Sequence, residues 1–470
     1  MPSENNLYII GIGPGQHDQM TIQALKAIKE AKFIVGHRTY LDLIKVLLGR
    51  KEIIASGMGQ EVERAKTAID LLDQGSVAIV SSGDPNVYGM AGLCHEVAHR
   101  RISLDRIKVV PGITSFTAAA CHAGLIFRES MAIISLSDLL TPFSEIERRL
   151  KAAAELKMPV ILHNPRSKKR DWQLDKALQI LGLEKETLIA TNVARKGEKL
   201  TWLKAGQVLE DEGIKELINM FTLVIINGNE VQKGQTVNKA RINVVGLGPG
   251  DPKYLTTEAR EVLKASNKLF GPERYLQIAR CISQGEGIKH HGNCQNRMRL
   301  RFQDAKAASE RNEVSSILTG GDPCIFSAAW RVLEEARGVC DIHVSPGISA
   351  FSALAARVGA PLVNDFVLVS NIKEPSRISR LSEAGFGIVA YNTQVKEIRP
   401  ILERISPERP CALARDISRE GEEIIVSKAS ELMKTSADGL RFTFLIASNN
   451  SFIKDDKIIT RRGYQAKYCY

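Results

Sequence analysis

The chain states one glycine-proline pattern twice, and this duplication limits what it can fold into more than any other feature. Leu7-Tyr-Ile-Ile-Gly-Ile-Gly-Pro-Gly15 returns as Ile242-Asn-Val-Val-Gly-Leu-Gly-Pro-Gly250. Gly83-Asp-Pro85 returns as Gly321-Asp-Pro323, and Pro111-Gly-Ile-Thr-Ser115 as Pro346-Gly-Ile-Ser-Ala350. Phe221-Thr-Leu-Val-Ile225 is echoed by Phe442-Thr-Phe-Leu-Ile446. The echoes lie roughly 220 to 240 residues downstream, whereas solenoid periods reach only about 50. The repeated unit is therefore a whole domain, and what repeats is loops, the parts of a fold that hold ligands.

Composition is consistent with two such units. A length of 470 residues, 44% hydrophobic and 25% charged, is ordinary for globular domains. The opening Met1-Pro-Ser-Glu-Asn-Asn6 has no apolar signal core, and no apolar run reaches the roughly 18 to 20 residues of a membrane span. Eight cysteines without a Cys-x-x-Cys pair read as reduced thiols, which predicts a cytoplasmic protein away from membranes. A net charge of +11 suits either nucleic acid or a small substrate rich in carboxylates. The cations are scattered through helical segments (Lys26, Lys29, Arg148, Arg149, Lys151), and aromatics are only 6%. Stacking platforms for single strands are thus sparse, and a carboxylate-bearing substrate is favoured over nucleic acid.

Strands and helices alternate in the first half. Tyr8-Ile-Ile10, Phe33-Ile-Val35, Val77-Ala-Ile-Val80 and Lys108-Val-Val110 read as buried strands. Thr21 is a candidate N-cap for a helix that places Ile22, Leu25 and Ile28 on one face. This order predicts a parallel α/β sheet with ligands beyond the carboxyl ends of the strands, where the three glycine loops lie. The character changes near residue 128, where the segment Met131–Pro142 begins a second set of strands, Val160–Leu162, Leu188-Ile189 and Leu223–Ile226. The division is residues 1–230, with lobes of about 1–127 and 128–230, a polar linker over 231–240, and a second unit over 241–470.

The glycine loops do not fit a dinucleotide site. The spacing is Gly-x-Gly-x-Gly with Pro14 inside it, no helix opens at the last glycine, and the second strand ends Val35-Gly-His37 without an acid for a ribose. No Gly-Lys-Ser/Thr forms a Walker loop. Asp84 and Thr114 read either as helix or turn caps or as ligand contacts.

With these residues in view, the chain resembles the tetrapyrrole methylase family at three signatures: Leu7-Tyr-x-x-Gly-x-Gly-Pro-Gly15, Gly83-Asp-Pro-x-x-Tyr-Gly89 and Val110-Pro-Gly-Ile-Thr-Ser115. The resemblance covers nearly the whole chain. It implies tandem α/β units, each of two αβα lobes with S-adenosylmethionine held in the cleft between them. Ser56-Gly-Met-Gly-Gln-Glu-Val-Glu-Arg64, Ser135-Leu-Ser-Asp-Leu-Leu-Thr-Pro142 and Asn164-Pro-Arg-Ser-Lys168 are similar to the precorrin-3B C(17)-methyltransferase subgroup, which also contracts the macrocycle. Carried over, Gly13, Pro14, Gly83, Asp84, Pro85, Val87, Thr114 and Ser115 meet the cofactor from the first lobe, and Asn164 and Val193 from the second. Ser137, Asp138 and His163 are the candidates for proton transfer, and Arg166 and Lys168 for substrate carboxylates, whose geometry a guanidinium fork matches. Members of the family commonly dimerise, so the resemblance implies a homodimer or an intramolecular pseudo-dimer.

The second half departs from the pattern. Tyr88-Gly89 becomes Phe326-Ser327, the Ser135–Pro142 loop shrinks to Val369-Ser-Asn-Ile372, and Asn164-Pro-Arg becomes Asn392-Thr-Gln394. Its opening is similar to a C(5)-methyltransferase, but its close, Ile459-Thr-Arg-Arg-Gly-Tyr464, resembles the C(17) subgroup. It reads as a second methylase acting at another position or as a partner lobe. His290, His291 and Cys294 match no standard metal spacing, so no metal is expected. The rival classes are an RNA ribose methyltransferase and a non-catalytic tetrapyrrole carrier.

Overall fold

The computed structural model describes residues 5–15, 17–167, 170–226, 229–230, 241–435 and 439–468. The linker predicted over 231–240 lies outside them. The first lobe is a five-stranded parallel sheet in the order Glu52–Ser56, Phe33–His37, Val77–Ser81, Leu7–Gly11, Ile107–Val110. Its inner strands are buried on both faces, which is why they read as unbroken apolar runs rather than alternating ones. Thr21 accepts the Ala24 N–H at 3.0 Å and opens helix Ile22–Glu30, as its sequence predicts. The edge strand Glu52–Ser56 escaped the sequence reading because it is half exposed and lacks a long apolar run.

The second lobe contributes strands Ser130–Ser135, Val160–His163, Glu186–Thr191, Lys199–Lys204 and Thr222–Ile226. The second half repeats both lobes. Its parallel sheet runs Glu286–Ile288, Lys268–Phe270, Ser315–Thr319, Arg241–Gly246, Asp341–Ser345, the same order as in the first half.

The halves are not separate beads. Strand Ser130–Ser135 pairs antiparallel with its counterpart Phe366–Val369, Ile133 facing Phe366 and Ala132 facing Val367. The two second lobes thereby form one ten-stranded sheet. The equivalent residues Phe116 and Phe351 stack with centroids 6.3 Å apart, and Cys121 Sγ of the first half lies 3.5 Å from Cys324 Sγ of the second. Ile22 N donates to Leu255 O and Thr257 N to Met20 O, each at 3.0 Å. One apolar cluster includes residues of both halves.

A buried carboxylate ties this junction together. Asp365, from the second half, accepts from Tyr88 Oη at 2.7 Å, Ser135 N at 2.9 Å and Arg149 Nη1 at 2.9 Å, all in the first half. Removing one partner of a buried ion pair strands the other in low dielectric, at a cost of about 3 to 5 kcal/mol. Asp365→Ala should lower stability by that order, and circular dichroism and tryptophan fluorescence should report one coincident urea transition. A loss below about 1 kcal/mol, the worth of an exposed pair, would show that the halves do not depend on this carboxylate.

Candidate active site

The three glycine loops of the first lobe touch backbone to backbone. Gly13 N donates to Gly83 O at 3.2 Å, and Gly83 N to Gly13 O at 2.8 Å. A Cβ on Gly11 would lie 2.6 Å from Gly112 N, and one on Gly112 would lie 2.3 Å from Gly83 O. No side chain fits at either position, so glycine is required there by contact. Gly83 differs: its φ is +64°, yet a Cβ there would meet nothing closer than 3.8 Å. It faces open space, the floor of a cleft between the lobes.

That cleft has a volume of about 170 Å³. Pro14, Gly83, Asp84, Val87, Thr114 and Ser115 line it from the first lobe, and His163, Asn164 and Val193 from the second. Gly13 and Pro85 stand behind the lining: Gly13 locks Gly83 in place, and buried Pro85 accepts the Ala91 N–H at 3.0 Å. Asp84 is 1% exposed and takes Asn86 N and Nδ2 on Oδ1, at 2.7 and 2.8 Å. Burial pushes its carboxyl up to about 6, against the opposing pull of the Asn86 bonds. Thr114 is the N-cap of helix Ser115–Ala123, accepting Thr117 N at 3.2 Å, so cap and cleft residue coincide.

Sequence reasoning missed Asn192 and Arg195. Arg195 Nε donates to Pro14 O at 2.6 Å and Nη2 to Ser82 Oγ at 3.1 Å, binding the second lobe to two loops of the first. Its stem explains the last glycine of the signature, since a Cβ on Gly15 would lie 2.3 Å from Arg195 Cγ. The second half repeats the clamp, with Arg419 Nε on Pro249 O at 2.9 Å and Gly250 beneath it. Asn192-Val-Ala-Arg195 does echo as Asp416-Ile-Ser-Arg419, but the echo is short and lacks glycine. Backbone strain repeats as well. Tyr88, Asn164, Asn192 and Ala194 have φ of 51°, 51°, 52° and 56°, and Phe326, Asn392, Asp416 and Ser418 have 49°, 55°, 50° and 62°. Such non-glycine residues persist where surrounding structure holds them, typically at functional sites.

The candidate catalytic residues are not gathered in one place. His163 reaches the cleft beside Tyr88, ring centroids 5.0 Å apart, and its Nε2 is buried without a partner. Burial, with the Arg462 charge nearby, pushes its imidazole down to about 3, so it is neutral near pH 7. Ser137 lines a separate small pocket between the halves. Asp138 accepts from Gln173 Nε2 at 2.9 Å and is in neither cavity wall. Arg166 is half-buried and outside both linings, while its neighbour Arg170 donates to Asn164 O at 3.0 Å. Lys168 lies outside the described residues. His290 pairs with Asp304 at 2.8 Å rather than joining His291 and Cys294 in a ligand set. Among the described residues, the three-ligand grouping within 4.8 Å is Cys121, Asp322 and Cys324.

A family model of tetrapyrrole (corrin/porphyrin) methylases matches residues 6–208 and again 241–433. The chain belongs to this family. The cobalamin biosynthesis protein CbiHC of Archaeoglobus fulgidus is 31% identical over 303 residues, 60% of this chain and 66% of that protein. A probable cobalt-factor III C(17)-methyltransferase of Salmonella typhimurium is 38% identical over 225 residues, 48% of this chain and 92% of that protein. The crystal structure of the methyltransferase CobJ is 30% identical, covering 48% of this chain and 95% of that chain, with a TM-score of 0.43.

The second methylase unit keeps the loop lock. Gly248 and Gly321 exchange bonds of 3.2 and 2.8 Å, and a Cβ on Gly347 would lie 2.2 Å from Gly321 O. Its cleft is far wider, about 1040 Å³. Asp322, 1% exposed, accepts Cys324 N at 2.8 Å and Gly347 N at 3.2 Å, and burial pushes it up to about 7. In the unfolded chain this carboxyl ionises near its ordinary value of 3.8. Between those values the folded state holds the extra proton, so the group's contribution to stability falls as pH rises. Asp322→Asn should therefore gain stability relative to the parent between pH 5 and pH 8, read as a difference in urea midpoints. A difference independent of pH would show that Asp322 ionises normally.

Proposed function

We propose that the first half transfers a methyl group from S-adenosylmethionine to ring carbon 17 of a corrin precursor, with ring contraction. The substrate is a polycarboxylate tetrapyrrole of the precorrin-3B or cobalt-factor III type. The observation that carries the reading is the first cleft. It joins the locked glycine loops to Asn164 and the Asn192–Arg195 clamp, in the half that retains the Ser135–Pro142 loop and Asn164-Pro-Arg166. The C(17)-methyltransferase name of the Salmonella relative supports the same position on the ring.

The residues suit the donor. A Cβ at position 83 would meet Ile113 O at 3.8 Å and Ser115 N at 3.9 Å, ordinary contact distances, so a large side chain there would project into the cleft. Pro14, Gly83, Asp84, Val87, Thr114, Ser115, Asn164 and Val193 would hold the donor, which supplies a methyl already made electrophilic by a sulfonium. The protein's task is then alignment of that methyl with the ring carbon. His163 is neutral beside a cationic donor, which avoids like-charge repulsion, and its unpartnered Nε2 is available to one substrate hydrogen bond. Asp84, ionised above about pH 6, complements positive charge at the cleft floor. No helix among the described residues is long and apolar enough to cross a membrane.

Gly83→Leu and Gly321→Leu form a matched test, because both sites have left-handed φ, +64° and +67°, and both face open space. Each should cost similar stability, about 1 to 2 kcal/mol of backbone strain. Gly83→Leu should lower methyl transfer to the macrocycle by about 100-fold or more, equivalent to about 3 kcal/mol. Gly321→Leu should leave transfer within about threefold, under 1 kcal/mol. The reverse pattern in folded proteins would move the reaction to the second half.

A further inference from the structure

A second, smaller pocket of about 90 Å³ adjoins the cleft, and Tyr88 stands in the wall of both. Ser137 and its loop form one side. Asp365, Arg462 and Tyr464 of the second half form the other. The tail that carries Arg462 is fastened onto the Ser135–Pro142 loop: Lys467 Nζ donates to Leu139 O at 2.6 Å, and a Cβ on Gly463 would lie 3.0 Å from Leu140 O. Arg-Arg-Gly-Tyr occurs once in the chain, at 461–464, so the first half has no copy of its own.

The charges in this pocket are uneven. Arg149 is neutralised by Asp365 at 2.9 Å and Glu145 at 3.2 Å. The Tyr88 hydroxyl is committed to Asp365 and to Ile133 O. Arg462 is half-buried and, among the described residues, meets the Tyr88 ring, 5.2 Å away, and donates to Tyr88 O at 3.3 Å. Among the described residues no carboxylate pairs with it. A guanidinium carries five donors in a planar fork that matches a carboxylate. The pocket has room for a side arm but not for a macrocycle.

We propose that this pocket is a carboxylate subsite, in which Arg462 of the second half, with the Ser137 hydroxyl, grips one carboxylate arm of the substrate bound over the first cleft. This rests on the reading that the substrate is a carboxylate-bearing macrocycle. The second half then contributes to the first half's reaction whatever its own cleft does. The wider second cleft receives no such tail residue from the described part of the first half.

The test uses the full chain with Arg462→Met, which keeps the stem, and Arg462→Lys, which keeps the charge. The probes are uroporphyrin, its methyl ester, S-adenosylhomocysteine and cobalt-factor III. Arg462→Met should raise KM for the macrocycle about tenfold or more, about 1.4 kcal/mol, with kcat and S-adenosylhomocysteine affinity little changed. Arg462→Lys should recover part of the loss. The parent should bind uroporphyrin more tightly than its ester, and Arg462→Met should erase that preference. Unchanged KM and an unchanged acid-over-ester preference in Arg462→Met would overturn the subsite. Loss of S-adenosylhomocysteine affinity in both variants would overturn it too, because the tail would then be acting on the fold of the cleft. If the parent methylates no macrocycle but prefers the acid through Arg462, the subsite stands and the functional reading falls.

Discussion

The cleft exists because three loops meet at a distance only glycine permits. With Gly112 Cα and N packed on Gly11 and facing Gly83 O, no side chain can enter the junction, and the Gly13–Gly83 bond pair fixes the loops against each other. Everything at the site inherits its position from that lock. Asp84 is buried because its turn is pinned, and its carboxyl is raised because it is buried. Arg195 then crosses from the other lobe to Pro14 O, over a glycine that must lack a side chain. Contacts between backbones tolerate no drift, and this accounts for the survival of the loops in both halves while their flanks diverged.

The two halves share a scaffold but not a site. The ten-stranded sheet and the Asp365 network hold them in one antiparallel arrangement, and equivalent residues face each other across the junction. Within that arrangement the first cleft measures about 170 Å³ and the long Ser135–Pro142 loop lines the small pocket beside it, whereas the second cleft, in the half with a shortened loop, opens to about 1040 Å³. Asp365 and Arg462 lie far from the first half in sequence, yet both stand beside Tyr88. The second half thus forms one side of the small pocket that adjoins the first half's cleft.

Much of this was legible from local chemistry. Thr21 and Thr114 announce their helices because a hydroxyl before an apolar period is a cap wherever it occurs. The parallel sheet follows from unbroken apolar strands between helices, and the cleft follows from glycine loops at the strand ends. What stayed hidden is long-range. Ser130–Ser135 and Phe366–Val369 are both fully buried strands, and nothing within either sequence says that they pair. Asp365 and Arg195 carry no local pattern that marks their partners, which lie far away in sequence. Ser137 and Asp138 sit in a loop whose direction depends on a tail more than 300 residues later, so the sequence pattern could not divide them between two surroundings.

The central claim is that the first cleft directs a methyl group to carbon 17. It is tested most directly by a single turnover of the full chain with cobalt-factor III and S-adenosylmethionine labelled with carbon-13 in its methyl group, followed by NMR of the isolated macrocycle. One labelled methyl, on carbon 17, is expected. A label on any other ring position, or an unlabelled macrocycle from a protein that binds both ligands, would contradict it.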